Sequence, residues 1–256
     1  MALDVKIAMV TGGASGMGQL IALRLAKRGV KVAIVDMNDD GLNATVSQSD
    51  NITAFKCDVA DLKQVREIVE QAESQLGPID QLTHCAAIMP TGPLLTMAPD
   101  LITKMMAINY NGTVHLTKVL LPKMQERKRG LIVLFGSIAG YVMAPDMGAY
   151  NASKAATNAF AEVLIHENRG GDVHIMAVNP PMVNTPLIDQ AMDTKNIRES
   201  REKGRMASPE FIVDEVEKAI AKNVEFLYPG AEAKILTWLR RFFPALLWRI
   251  IKASSK

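Results

Sequence analysis

Val5-Lys-Ile-Ala-Met-Val10-Thr-Gly-Gly-Ala-Ser-Gly-Met-Gly18 is a short apolar, partly β-branched run that breaks into a cluster of glycines. A strand buried on both faces reads this way, because neither side of it meets water. A helical pattern follows at once, with Leu20, Ile21, Leu23, Leu25 and Ala26, and Gly29 closes it. A second buried run, Lys31 to Val35, ends at Asp36. Strand, glycine-rich turn, helix and strand within about 30 residues form a βαβ crossover unit.

The alternation continues outward from that unit. A helical pattern spans 39–48, and a strand spans 52–56 and ends at Cys57-Asp58. The helix over 61–75 carries Leu62, Val65, Ile68, Val69 and Ala72 on one face and stops at Gly77-Pro78. A fourth strand covers 79–86, and a loop rich in Pro and Gly follows over 89–99. One long helix is predicted over 100–125, a strand over 131–135, a helix over 149–167 and a strand over 173–178. Ser208-Pro209-Glu210 opens a further helix that ends near Lys222, with Ser as N-cap and Pro at the first helical position. A last strand covers 224–228. Seven strands alternating with helices predict an α/β fold: a doubly wound (Rossmann) seven-stranded parallel sheet with helices on both faces. One catalytic domain is expected over 1–230, with 231–256 as an extension of different character.

Bulk properties narrow the function. The 256 residues carry a net charge of only +2, which gives no general electrostatic case for nucleic acid. Cys57 and Cys85 make neither a disulfide framework nor a metal-ligand pattern, so no metal is expected and a reducing, cytoplasmic compartment is the simplest reading. The amino terminus carries charges where a secretory signal would need an apolar core. No stretch of about 20 residues is free of charge, so a membrane-spanning helix is not expected.

The glycines of Gly12-x-x-x-Gly16-x-Gly18 permit positive φ and let a ligand approach the backbone. At the mouth of a helix they favour a pyrophosphate, which places Gly12, Ser15, Gly16, Met17 and Gly18 at a nucleotide. The lysine and Ser/Thr of a phosphate-binding P-loop are absent, which disfavours an NTPase. Asp36 stands twenty residues after Gly16, at the end of the second strand. A carboxylate there accepts from both ribose hydroxyls and repels a 2′-phosphate, and Met37 offers no compensating cation, so NAD is favoured over NADP. Asp58-Val59 ends the third strand, where Asp58 could bond an adenine amino group or cap the next helix.

In the second half, Ser137 follows a strand, Tyr150 comes thirteen residues later and Lys154 four after that. Residues four apart share a helix face, so a phenol and an ammonium point the same way. An adjacent cation favours the phenolate and brings a phenol toward useful acid–base range.

With these pieces in order, the chain resembles the short-chain dehydrogenase/reductase (SDR) family over about residues 5–230. The resemblance rests on Thr11-Gly-x-x-x-Gly-x-Gly18, Asp36, Asp58-Val59, Asn109 in Ile108-Asn-Tyr-Asn-Gly112, Ser137, Tyr150-x-x-x-Lys154, and Asn179-Pro180 with Thr185. It implies an oxidoreductase that interconverts a secondary alcohol and a carbonyl. Tyr150 would be the general acid or base, and Ser137 would hold the substrate oxygen. Lys154 would lower the Tyr150 pKa and bond the nicotinamide ribose, and Asn109 would hold a water linking Lys154 to solvent. The backbone at Val183 and the Thr185 hydroxyl would bind the carboxamide, and His84 would lie beside the adenosine through its backbone. The family commonly forms homodimers or homotetramers. Two alternatives stay open: a non-catalytic NAD-binding sensor or scaffold of the same fold, and a 3-oxoacyl reductase, which would be expected to prefer NADP.

Two departures from the family pattern stand out. Asn-Asn-Ala-Gly after the fourth strand is replaced by His84-Cys85-Ala86-Ala87, which puts the local sheet-to-loop bonding in doubt. Pro180-Pro181 stands where the family has Pro-Gly, which removes one N–H donor near the nicotinamide. Met89, Met97, Met143, Met147, Met182, Met192 and Met206 fall largely in loops this fold places over the substrate, and methionine suits adaptable apolar pockets. Ordinary core filling explains any single one as well.

The segment 231–252 differs from all this. It holds both tryptophans of the chain, with Ile235, Trp238, Leu239, Phe242, Leu246 and Ile250 at helical spacing and Lys234, Arg240, Arg241, Arg249 and Lys252 between them. Pro244 should divide it into two short helices. Peripheral membrane contact, packing against a partner subunit and cover for the substrate cleft are the three readings. A lipophilic substrate is expected from the methionines and from this segment.

Overall fold

The computed structural model describes residues 4–191, 201 and 204–254. Its centre is a seven-stranded sheet in the order β3-β2-β1-β4-β5-β6-β7. The strands are β1 (Ile7–Thr11), β2 (Lys31–Asp36), β3 (Ile52–Lys56), β4 (Gln81–His84), β5 (Gly130–Phe135), β6 (Val173–Val178) and β7 (Phe226–Leu227). Every neighbouring pair is parallel. Two core clusters follow from the strand alternation. Met9, Leu82, Ile132 and Leu134 point to one face, and Ala8, Val10, Leu131 and Val133 to the other.

Helices cover both faces. α3 (Leu62–Leu76), α5 (Gly112–Glu126) and α6 (Gly148–Glu167) bury Val65, Ile68, Leu116, Leu120, Ala161 and Ile165 in the first cluster. α1 (Gly16–Lys27) and the helix Pro209–Ala221, α7 here, close the second with Ile21, Leu25, Ile212 and Val216. α2 (Asp39–Val46) and α4 (Pro99–Met106) lie between these elements in the chain. The helix starts read from sequence hold: the Asp61 carboxylate accepts from the Lys63 and Gln64 amides, and the Ser208 hydroxyl accepts from Phe211. Asp61 therefore caps α3, and Asp58 does not.

The long helix expected over 100–125 is interrupted. α4 gives way to a π-helical turn at Ala107–Asn111 before α5 begins. Single π turns inside helices are frequent at functional sites, and this one contains Asn109.

Pro244 divides the carboxyl-terminal segment as its ring requires, into α8 (Gly230–Phe242) and α9 (Pro244–Ser254). Among the described residues, no helix is long and apolar enough to cross a membrane.

Candidate active site

Strand order reverses between β1 and β4, and a crevice opens there at the carboxyl ends of the strands. A cavity of about 660 Å³ occupies it. Gly12, Ser15, Gly16, Met17, Gly18, Asp36, Asp58, Val59 and Thr185 all line it. Most of the residues expected at a nucleotide thus share one cavity.

The turn between β1 and α1 depends on its glycines. Gly12 and Gly16 have φ of +69° and +55°. At Gly18 a Cβ would stand 2.2 Å from the Gly12 carbonyl oxygen, so only glycine lets the helix start there. The Ser15 hydroxyl caps none of the first amides of α1, which leaves the helix mouth facing the cavity without a side chain in the way. The Asp36 carboxylate accepts from the Ala14, Met37 and Asn38 amides, at 3.2, 2.8 and 3.1 Å, which fixes it at the cavity edge. The Asp58 carboxylate accepts from Ala60, and its own amide donates to the Gln64 side chain. These residues fit a dinucleotide: glycine backbone and a helix N-terminus for the phosphates, and a fixed carboxylate for a ribose.

His84 is not among the residues that line the cavity. Its ring lies buried beneath the cavity, and Cys85, Ala86 and Ala87 form the wall there. The Nδ1 atom and the Thr11 hydroxyl are 2.7 Å apart, and the Thr11 oxygen also accepts from the Ala86 amide. The replaced asparagine is thus answered by an imidazole that ties β1 to β4 at their ends. Burial, with the Lys154 cation adding to it, pushes the His84 pKa down to about 3, so the ring stays neutral. Burial also pushes both thiols, Cys57 and Cys85, up to about 12, so neither is a thiolate at neutral pH.

Ser137, Tyr150 and Lys154 converge at the other end of the site. Ser137 follows β5 and caps the 3-10 turn Ile138–Gly140, and Tyr150 and Lys154 are on successive turns of α6. Tyr150 is buried in a third apolar cluster with Met89, Met105, Ala139, Ala149 and Ile188, flanked by Met97, Met147, Met182 and Met206. Ile88 and Leu187 belong to this cluster's rim and also line the cavity, so the two spaces adjoin. Five of the seven methionines singled out in the sequence thus gather round the phenol. Met143 is not among them, and Met192 lies outside the described residues.

Burial pushes the Tyr150 phenol up to about 12, and Ser137 beside it opposes the rise. Lys154 is anchored at the end of β5. Its Nζ donates to the Phe135 carbonyl at 2.8 Å and stands 5.9 Å from the centre of the Tyr150 ring. Burial in turn pulls the Lys154 pKa down to about 8.

Asn109 is 1% exposed. Its Oδ1 accepts from the Ile88 amide, and its Nδ2 donates to the Ile88 carbonyl and to the Ser153 hydroxyl. Ser153 in turn donates to the Tyr150 carbonyl. Asn109 therefore ties the loop after β4 to the turn of α6 that carries Tyr150. Thr185 begins a short 3-10 turn at the cavity wall, while Val183 is buried and pairs with Ala207.

Two residues escaped the sequence reading. Asn158 accepts from the Ser137 amide and donates to the Ser137 carbonyl, and Asn151 donates to the Ala139 carbonyl and accepts from Ala144. Together they fix the segment that presents the Ser137 hydroxyl. The signal was there: Tyr150, Lys154 and Asn158 repeat every four residues along one helix face. Gly136 is the counterpart of this clamp, since a Cβ on it would stand 2.0 Å from the Asn158 Oδ1. No cluster of His, Cys, Asp and Glu suited to a metal occurs among the described residues.

Comparison with known proteins agrees with this geometry. A sequence profile described as short chain dehydrogenase matches residues 6–196. The chain is 30% identical over 229 residues to the 3-ketodihydrosphingosine reductase of Mus musculus, covering 85% of this chain and 69% of that protein. It is 34% identical over 186 residues to a 2-dehydro-3-deoxy-L-rhamnonate dehydrogenase (NAD(+)) of Sphingomonas sp. (strain SKA58), covering 72% of this chain and 75% of that one. Among solved structures, a short chain dehydrogenase/reductase from Burkholderia phymatum in complex with NAD superposes with a TM-score of 0.85, at 25% identity and 96% coverage of each chain. An actinorhodin polyketide ketoreductase with NADPH gives 0.79 at 26% identity, covering 89% of this chain and 97% of that one. From the glycine turn through the residues that converge on Tyr150, the chain belongs to the short-chain dehydrogenase/reductase family.

Proposed function

We propose that the chain interconverts a secondary alcohol and a carbonyl on a lipophilic substrate, with NAD as the hydride carrier and Tyr150 as general acid and base. One observation carries the reading: the Tyr150 phenol is buried beside Ser137 in a methionine-rich apolar cluster that adjoins a cavity suited to a dinucleotide. The glycine turn and Asp36 would hold the dinucleotide, which would supply hydride transfer at the substrate carbon when bound. Tyr150, protonated at neutral pH, gives its proton to the carbonyl oxygen in reduction and takes it back in oxidation. Ser137 donates to the same oxygen and stabilises the charge that develops there. Lys154, with its pKa brought down near neutrality, holds the nicotinamide ribose and refills the proton on Tyr150. Asn109 braces this arrangement, and Asn158 orients Ser137.

Asp36 supports NAD over NADP, because a fixed carboxylate repels a 2′-phosphate and Met37 beside it brings no cation. The named relatives include an NAD enzyme and an NADPH complex, so both cofactors occur among similar proteins. The reductases of 3-ketodihydrosphingosine among the relatives support a ketone on a long apolar body. Residues 1–230 then form the catalytic domain and 231–256 an extension of it. A homodimer or homotetramer in the cytoplasm completes the reading.

Fluorescence titration with NADH and NADPH tests the cofactor. Wild type should bind NADH at least about tenfold more tightly, and Asp36→Ser should erase the gap; tighter NADPH binding by wild type refutes the assignment. Turnover of ketones of graded chain length should rise with length, and a flat series removes the lipophilic substrate.

A further inference from the structure

We propose that α8 and α9 dock the protein onto an anionic phospholipid surface. The proposal goes beyond the reaction and does not depend on it. Few apolar side chains of the two helices are fully enclosed: among the described residues of the pair, Ala233 and Leu247 are. Ile235, Trp238, Phe242, Phe243 and Leu246 are each about half exposed. They are not scattered. The Trp238 ring lies 5.5 Å from both Phe242 and Phe243, so an aromatic knot sits where the helices meet. Single exposed apolar residues are ordinary, but a contiguous aromatic patch marks a contact surface.

Charge identifies the occupant. Lys234, Arg240, Arg241, Arg249 and Lys252 stand within the pair against one carboxylate, Glu232. The chain as a whole carries 29 cations and 27 carboxylates, so outside 230–254 the balance is 24 against 26, and the positive charge of the molecule is collected on this pair. Arg241 lies 5.8 Å from the Phe242 ring centre, so cation and aromatic face occupy one spot. A second copy of the chain would bring five cations against five. A bilayer of anionic lipid offers phosphate to the guanidinium groups and an interface in which Trp and Phe rest. Trp248 belongs to the same helical pair.

The position of the pair makes the contact useful. α8 packs against the 3-10 turn Ile138–Gly140 directly after Ser137, and the Tyr228 and Tyr141 hydroxyls meet at 3.4 Å beside it. Leu94, half exposed, contacts the other end of the same segment at Gly148, and Leu95 next to it is fully exposed. Docked through α8 and α9, the molecule carries the loop that bears Ser137 close to the lipid.

The test uses the full chain carrying Trp248→Phe, which leaves Trp238 as the only tryptophan. It is mixed with vesicles of phosphatidylcholine alone and with vesicles containing phosphatidylglycerol. Trp238 emission should shift to the blue and the protein should sediment with the phosphatidylglycerol vesicles, at least about tenfold more strongly than with neutral ones. Added salt should weaken the partition. Arg240→Glu combined with Arg241→Glu should lower it by more than about tenfold while circular dichroism stays unchanged and the melting temperature nearly so, since Arg241 is exposed and Arg240 only part-buried. Equal partition of parent and charge-reversed variant overturns the proposal, as does absence of binding. A fall in molecular mass by light scattering in Trp238→Glu would make the patch a subunit interface and would overturn it as well.

Discussion

The two halves of the site are built from different materials. The nucleotide wall is made of backbone: glycines at positive φ, a helix mouth that no side chain caps, and a carboxylate held by three amides. The catalytic wall is made of side chains: a phenol in a nest of methionines, an ammonium on a carbonyl, and two asparagines that clamp the segment bearing a serine. A backbone site tolerates most substitutions except those that add a Cβ. A side-chain site fails whenever a polar group loses its partner in low dielectric. The difference teaches where a single substitution should act on affinity and where on turnover.

The largest effect should come from the side-chain wall. Tyr150→Phe removes the proton donor and keeps the ring, so kcat should fall by about 10²–10⁴-fold while the NADH dissociation constant moves little. Stopped-flow turnover beside fluorescence titration checks both, and a loss of NADH binding would blur the contrast between the walls.

Next is the backbone wall. Gly18→Ala forces a methyl toward the Gly12 oxygen, so the turn must shift. Overpacking of this kind costs about 1–3 kcal/mol, and urea denaturation should show it together with weakened NADH binding. An unchanged affinity would mean that the glycine turn does not hold the cofactor.

Lys154→Met probes a stored cost. The folded pKa of about 8 lies below the unfolded value of 10.5, so above pH 8 the unfolded chain keeps a proton the folded one has lost. By linkage, this group adds stability as pH rises from 8 to 10.5, and its burial as a cation is a burden below pH 8. The thiols and the phenol titrate in the same range with the opposite sign, so the quantity to follow is the difference between wild type and variant. That difference should move toward wild type over this window by up to about 3 kcal/mol. A constant difference would show that the ammonium is solvated in the folded state.

The smallest effect should be Ser15→Ala. The hydroxyl caps nothing, so stability should stay within about 0.5 kcal/mol and kcat should not change. A loss as large as that from an ordinary N-cap would show that the helix mouth relies on a side chain after all.

Legibility in the sequence followed the same division. The βαβ unit, the glycine turn and Asp36 were readable, because glycine spacing and apolar runs record backbone demands directly. The Tyr150–Lys154 pair was readable from helical spacing, but its surroundings were not. The partner of Lys154 is the Phe135 carbonyl, and every residue has a carbonyl, so no composition could announce it. The clamp by Asn158 followed from the same spacing and passed unread, since an amide on a helix is ordinary. The methionines at Met89, Met97, Met147, Met182 and Met206 were read as pocket or core filling, and Met105, which the sequence did not single out, joins the same cluster. His84 looked like a lost asparagine, and the structure shows a different group making a bond across the same strands.

The π turn at Ala107–Asn111 has a consequence for how this chain can change in length. Such a turn is an α-helix carrying one surplus residue. Deleting one residue of 107–111 would let the ordinary winding close with α5 kept near its present phase, and the local widening that carries Asn109 would be lost. The Asn109 amide would then swing off Ile88 and Ser153. Relatives that keep this tie should match the chain here without a gap, whereas the exposed run around Leu94 and Leu95 is free to lengthen or shorten. The count of residues at that turn is itself an inherited part of the catalytic wall.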